Sequence, residues 1–164
     1  MVAPGLVRRM ACFVYEGTLL FGVVMIAAYL FSSLTQQRHA LRGQHALQAF
    51  LFVVLGIYFV FFWSRGGQTV AMKTWHIRLV SASGGAVPQG RALARYVTAW
   101  LWFLPALAAV QWSGLKGGAT IFAFTMTGVV AYAALVWLHP QRQFWHDALC
   151  GTRLVDSRQP TPQA

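Results

Sequence analysis

The chain reads as an all-α membrane protein: four transmembrane helices arranged as two similar hairpins, with short cytoplasmic amphipathic or strand segments after the second and the fourth. Three observations predict this. Of 164 residues, 57% are apolar and 10% charged. The apolar residues gather into blocks that approach the ~20 residues needed to cross ~30 Å of hydrocarbon. A pattern also recurs: Gln68 is followed ten residues later by Arg78-Leu79-Val80, and Gln143 is followed ten residues later by Arg153-Leu154-Val155. Each copy lies behind a long apolar run, so from Gln68 to Gln143 an offset of 75 residues carries both the run and its polar tail. A single domain is expected over residues 6–156, followed by a flexible tail at 157–164 in which Gln159 to Ala164 holds two prolines.

The first block runs from Met10 to Leu34. Arg8 and Arg9 precede it as the basic start of a signal peptide would, but Glu16 within the run, and the run's length, favour a retained helix. The second block, Ala46 to Trp63, contains one strongly polar side chain, Gln48. Behind it Trp75-His76-Ile77-Arg78-Leu79 alternates apolar with polar, and Ser83-Gly84-Gly85 supplies a turn, which predicts a short hairpin on the membrane surface. The third block, Tyr96 to Trp112, is short and broken by Pro105, which membrane helices accommodate. Trp100, Trp102 and Trp112 are its interface anchors. The fourth, Gly117 to Leu138, carries no charge. After it Phe144, Trp145, Ala148 and Leu149 recur at helical spacing, Gly151 is placed to end that turn, and Thr152 to Asp156 reads as a strand. If the two Arg-Leu-Val segments pair, they clasp the halves together; two extended loops fit the pattern nearly as well.

Charge sets the orientation. Arg8, Arg9, Arg65, Lys73, Arg78, Arg91, Arg95, Arg142, Arg153 and Arg158 fall on one side of the four spans, and only Arg38, Arg42 and Lys116 on the other. The positive-inside bias puts both termini and the central loop in the cytoplasm. The net charge of +10 then reflects topology and attraction to anionic lipid headgroups rather than nucleic acid, for which there is no basic-aromatic groove or motif. Cys12 and Cys150 face a reducing compartment and have no metal spacing, so no disulfide is expected. Gly17, Gly22, Gly56 and Gly128 offer close helix approach without forming a GxxxG pair.

Glu16 stands out within the membrane, because an ionised carboxylate in hydrocarbon costs at least ~2.5 kcal/mol without a partner. Arg9 lies two helical turns away on the same face, ~10 Å along the axis. Each therefore needs a group from another helix. Asp147, just beyond the fourth span, is the third candidate, and a cluster of Arg9, Glu16 and Asp147 with Arg95 or Arg153 is sterically open. Catalysis is not expected. His139 and His146 share a face, but no further His or Cys completes a zinc set, and no cofactor motif is present.

The stretch Arg8 to Glu16, Gly67-Gln68-Thr69 with Lys73, Arg95-Tyr96, and His146-Asp147 through Val155 resemble the signatures of the RDD family, over Leu6 to Asp156. The family's Arg and two Asp fall on Arg9, Glu16 and Asp147. Glu16 keeps the charge but adds a methylene, and Ala71 stands where the family more often has Gly. The resemblance implies a small multi-pass protein of the bacterial inner membrane with motif charges at cytoplasmic helix ends, supported here by Gln68, Lys73, Arg95 and Arg153. It also implies two functional expectations. One is a structural or partner-binding membrane module, engaging a membrane protein or a second copy; the other is a monovalent cation/proton antiporter using Glu16, in which four spans would have to dimerise to enclose a pathway.

Overall fold

A computed structural model describes residues 3–35, 44–114, 117–140 and 142–158. Arg38, Arg42 and Lys116, which set the sparse side of the charge balance, and the Gln159 to Ala164 tail lie outside the described residues. Four helical stretches are long and apolar enough to cross a membrane: Leu6–Leu34, Gln44–Arg65, Gln89–Ser113 and Gly118–Leu138. A small cap of two short helices and a two-stranded sheet accompanies them. The spans are apolar nearly all round and leave most of that surface open, which is the pattern of helices solvated by lipid.

Helix α1 is Leu6–Leu34, and its 29 residues rise about 43 Å, more than the hydrocarbon thickness. Its buried positions include Arg9, Cys12 and Glu16, which share one face. Helix α2 is Gln44–Arg65. It ends at Gly67, whose φ of +67° is paired with a close approach: a Cβ there would lie 2.4 Å from the Leu79 carbonyl oxygen, so only glycine fits. The short helix α3, Val70–Thr74, follows with Thr69 as N-cap, its hydroxyl accepting from the Met72 amide. Strand β1 is Ile77–Ser81.

The third span is longer than the Tyr96 to Trp112 expected. It comprises α4 (Gln89–Ala99), a 3₁₀ turn at Trp100–Trp102 and α5 (Leu104–Ser113). The polar residues at its start escaped a hydropathy reading, but Arg95 and Tyr96 are buried there against neighbours. Pro105 lacks the amide proton that would continue the ladder, and the tightened turn lies immediately before it. Helix α6 (Gly118–Ala134) and a 3₁₀ turn at Leu135–Leu138 form the fourth span. It meets α5 where a Cβ on Gly128 would come within 2.5 Å of Ala106 Cβ; Gly56 similarly faces the Tyr96 ring at 3.1 Å. Gly17 and Gly22, expected to serve the same purpose, have open space at their Cβ positions.

The cap finishes with α7 (Trp145–Leu149), closed by Gly151 at φ +60°, and strand β2 (Thr152–Asp156). The expected surface hairpin does not form. Its turn exists, with the Ser81 amide donating to Gly85 at 2.9 Å, but the chain then buries Val87 and enters α4 after Pro88. Strand β1 pairs instead with β2, antiparallel, setting Arg78 opposite Val155, Leu79 opposite Leu154 and Val80 opposite Arg153. The clasp reading, rather than the extended-loop one, describes this chain. The repeat is maintained residue by residue. Helices α3 and α7, and strands β1 and β2, begin and end 75 positions apart. The positive-φ residues Gly67 and His76 of the first copy likewise match Arg142 and Gly151 of the second. Because Leu79 faces its own equivalent Leu154, a local two-fold axis passes through that pair.

Candidate functional site

The site forms where the cap meets the nearby ends of α1, α2 and α4. Thr69, at the start of α3, has no exposed surface, and its hydroxyl donates to Glu16 Oε2 in a short hydrogen bond. Tyr58 on α2 donates to Glu16 Oε1 at 2.7 Å. Both carboxylate oxygens are thus satisfied by hydroxyls, and among the described residues no cation lies within ion-pair distance of Glu16. This arrangement joins α1, α2 and α3 at one point.

The second copy of the cap is fixed differently. Asp147 on α7 is fully buried and accepts from Arg95 Nε at 2.6 Å, an ion pair that ties α7 to α4. His146 stands beside it with Nε2 3.4 Å from the same carboxylate oxygen. Burial pulls its imidazole down to about 4, and the Asp147 charge offsets only part of that effect. The ring is therefore neutral at pH 7. The Tyr132 hydroxyl accepts from the His146 amide at 3.0 Å and shares a second hydrogen bond with Nδ1, also 3.0 Å away. The carboxylate beside Nε2 favours the tautomer with the proton on that nitrogen, in which Nδ1 accepts from Tyr132.

Arg9 takes part in neither contact. It is 5% exposed, its guanidinium carbon rests 4.7 Å above the Phe144 ring, and Nε and Nη1 are buried without a hydrogen-bond partner. Asp147 is near enough to attract it electrostatically, yet the two form no ion pair. Asp147 Oδ2 is likewise buried and unpartnered. Arg95 stacks in turn over Trp63 at 4.1 Å.

The expected cluster of Arg9, Glu16 and Asp147 is thus divided into separate contacts, with Arg95 and not Arg153 as the partner of Asp147. Arg153 lies in β2 near Gly84, its Nε without a partner. Lys73 is exposed on α3. Gln68 and Gln143 act alike on the two strands. Gln68 donates to the Ile77 carbonyl at 2.7 Å, and Gln143 both donates to Leu154 O and accepts from Leu154 N. Each glutamine fastens one strand of the clasp. Sequence reading did not single out Tyr58 or the Phe144 and Trp63 stacking faces. Thr69 stood within the Gly-Gln-Thr stretch, whose spacing as an N-cap before Val70 was its signal. Arg8 ties the start of α1 to the end of β2 by pairing with Asp156 at 2.7 Å; its hydrogen bond holds that carboxyl down at about 2.

Fold and site together define a membrane protein with four spanning helices and a cap whose two strands pair. The chain belongs to the RDD family, whose model matches residues 3–151. Comparison with the curated proteins and with the solved structures finds no match.

Proposed function

We propose that the protein is a structural or partner-binding module of the bacterial inner membrane, with both termini cytoplasmic, and that two of its motif charges, Glu16 and Asp147, lock the cap onto the bundle. One observation carries this reading: each copy of the cap is fastened to a span by a buried polar contact, Glu16 with Thr69 on one side and Arg95 with Asp147 on the other. Every acceptor in these contacts that meets a donor is held by side chains of a different helix, which is what fixing helix register requires. The exposed arginines around the cap meet anionic headgroups, and the partner is a second copy or another membrane protein.

The lock is tested by Glu16→Gln and Asp147→Asn in detergent. Asp147→Asn removes the charge that balances buried Arg95, and breaking such a pair costs about 3–5 kcal/mol, so its unfolding temperature falls clearly. Unchanged stability in both variants refutes the lock. Recovery of a stoichiometric companion, or of a dimer, in mild detergent supports the partner role.

A cation/proton antiporter is the second reading, favoured by the position of Glu16 on the wall of an internal cavity. A carboxylate between two hydroxyls is suited to exchange a proton for a monovalent cation. Liposomes loaded with a pH-sensitive dye would dequench on addition of Na+ or K+, and Glu16→Gln would abolish that signal. A silent, well-incorporated wild type removes this reading.

A further inference from the structure

The bundle contains a cavity of about 380 Å³. It lies between α1 and the third span, which meet mainly through side chains such as Phe13 stacked on Trp102 at 5.1 Å. Leu20, Leu55, Phe59 and Trp100 contribute to a lining that is overwhelmingly apolar. Val14 and Gly17, both exposed, line it as well, so the cavity opens along α1 at the level of the hydrocarbon. At its cytoplasmic end stands Arg9, more than nine-tenths buried, with two guanidinium nitrogens lacking any acceptor.

The other charges around this space already have partners. Glu16 accepts from Tyr58 and Thr69, and Arg95 holds Asp147. Among the described residues that line the chamber, Arg9 is the charged one whose donors are both fully buried and without an acceptor. A buried guanidinium without acceptors is unfavourable, and an oxyanion is the group that its fork matches best. A single anchored charge at one end of an aromatic and aliphatic chamber is the usual chemistry of a site for an amphiphile. Glu16 lies seven residues, about 10 Å, farther along α1, so the head sits against Arg9 and not against that carboxylate.

We propose that this cavity binds an amphiphile with one anionic head, a carboxylate or a phosphate, seated on Arg9, and with its acyl tail between α1 and the third span. The seat of the head is separate from the lock, because Arg9 belongs to neither of the locking contacts, although Glu16 and Arg95 line the same chamber.

Trp63, Trp100 and Trp102 line the chamber and report on it. Titrating dibrominated stearic acid into detergent-solubilised protein would quench part of the tryptophan emission saturably, at one ligand per chain. Its methyl ester, equal in tail but uncharged, would not compete. Arg9→Gln would weaken binding about tenfold or more, the loss expected for a charge-assisted hydrogen bond. Gly17→Leu supplies a second route that leaves Arg9 in place. A Cβ at Gly17 meets nothing within 4 Å, so the larger side chain is accommodated and occupies the chamber, abolishing quenching without lowering the unfolding temperature. Competition by phosphatidic acid identifies the guest as a bilayer phospholipid, whereas competition by fatty acid alone identifies a free single-chain amphiphile. Quenching that never saturates, equal binding of the methyl ester, or unchanged affinity in both variants overturns the proposal.

Discussion

The two copies of the cap have one backbone and two kinds of chemistry. In the first, the helix opens with Thr69 and continues through Ala71 and Met72; in the second, the corresponding residues are Phe144, His146 and Asp147. Their helices, strands and left-handed residues coincide at an offset of 75. Yet one copy is held by hydroxyls around Glu16, and the other by an ion pair beside a neutral histidine. The path of the chain is therefore set by the turn residues, the apolar strand faces and the glutamine clips. Polar fastening is a second layer added to that path.

This contrast can be broken most forcefully at its charged end. Asp147→Ala leaves Arg95 buried without its counter-ion and is expected to cost about 3–5 kcal/mol. Thr69→Val, which removes the hydroxyl from Glu16 and from the α3 amide, is expected to cost about 1–3 kcal/mol. Thermal unfolding in one detergent ranks them, and equal losses would mean that the two fastenings do not differ as described. Next comes the shared backbone. Gly67→Ala forces a Cβ against the Leu79 carbonyl at 2.4 Å and should cost about 2–4 kcal/mol. Arg142→Ala, at the matching left-handed position, should change stability far less, since a side chain is already tolerated there.

A further comparison between the copies runs through pH. Below about 6.5 the unfolded His146 takes up a proton, while the folded ring stays neutral until about 4. The unfolded state thus binds more protons across that window, and stability falls as pH falls, by up to about 1.4 kcal/mol per unit. His146→Gln would flatten this portion of the stability profile. The first copy has Ala71 at the matching position and contributes no such slope.

Much of this was legible because membrane solvation writes itself into composition. Apolar blocks of span length, and glycine, proline and alternation signals between them, mark where helices and strands lie. The start of α4 was not legible by that means, since Gln89, Arg91 and Arg95 break the apolar run there and Arg95 is buried through contacts made elsewhere. Pairing of β1 with β2 was one of two open readings, because a local turn at Ser83 to Gly85 advertises a hairpin that only Pro88 and Val87 redirect. In the charge cluster, the identities were readable but the partners were not. Arg9 and Phe144 lie on opposite ends of the chain, and one ring among twelve phenylalanines carries no mark of its neighbour. Arg95 and Arg153 were equivalent candidates for Asp147 until the strand register placed Arg153 opposite Val80.

The pairing of β1 with β2 also has a meaning in time. At ~5–20 residues per second, a ribosome needs roughly 4–15 s to make the 75 residues separating equivalent points of the two strands. Throughout that interval β1 is an open edge at the membrane surface, a form prone to pairing with the wrong chain. It gains its native neighbour only after the third and fourth spans have been synthesised. Closure of the strand pair, together with the Arg8–Asp156 contact between the start of α1 and the end of β2, thus comes last in synthesis: a chain made only as far as Gly151 has no partner for β1, and a finished one covers that edge.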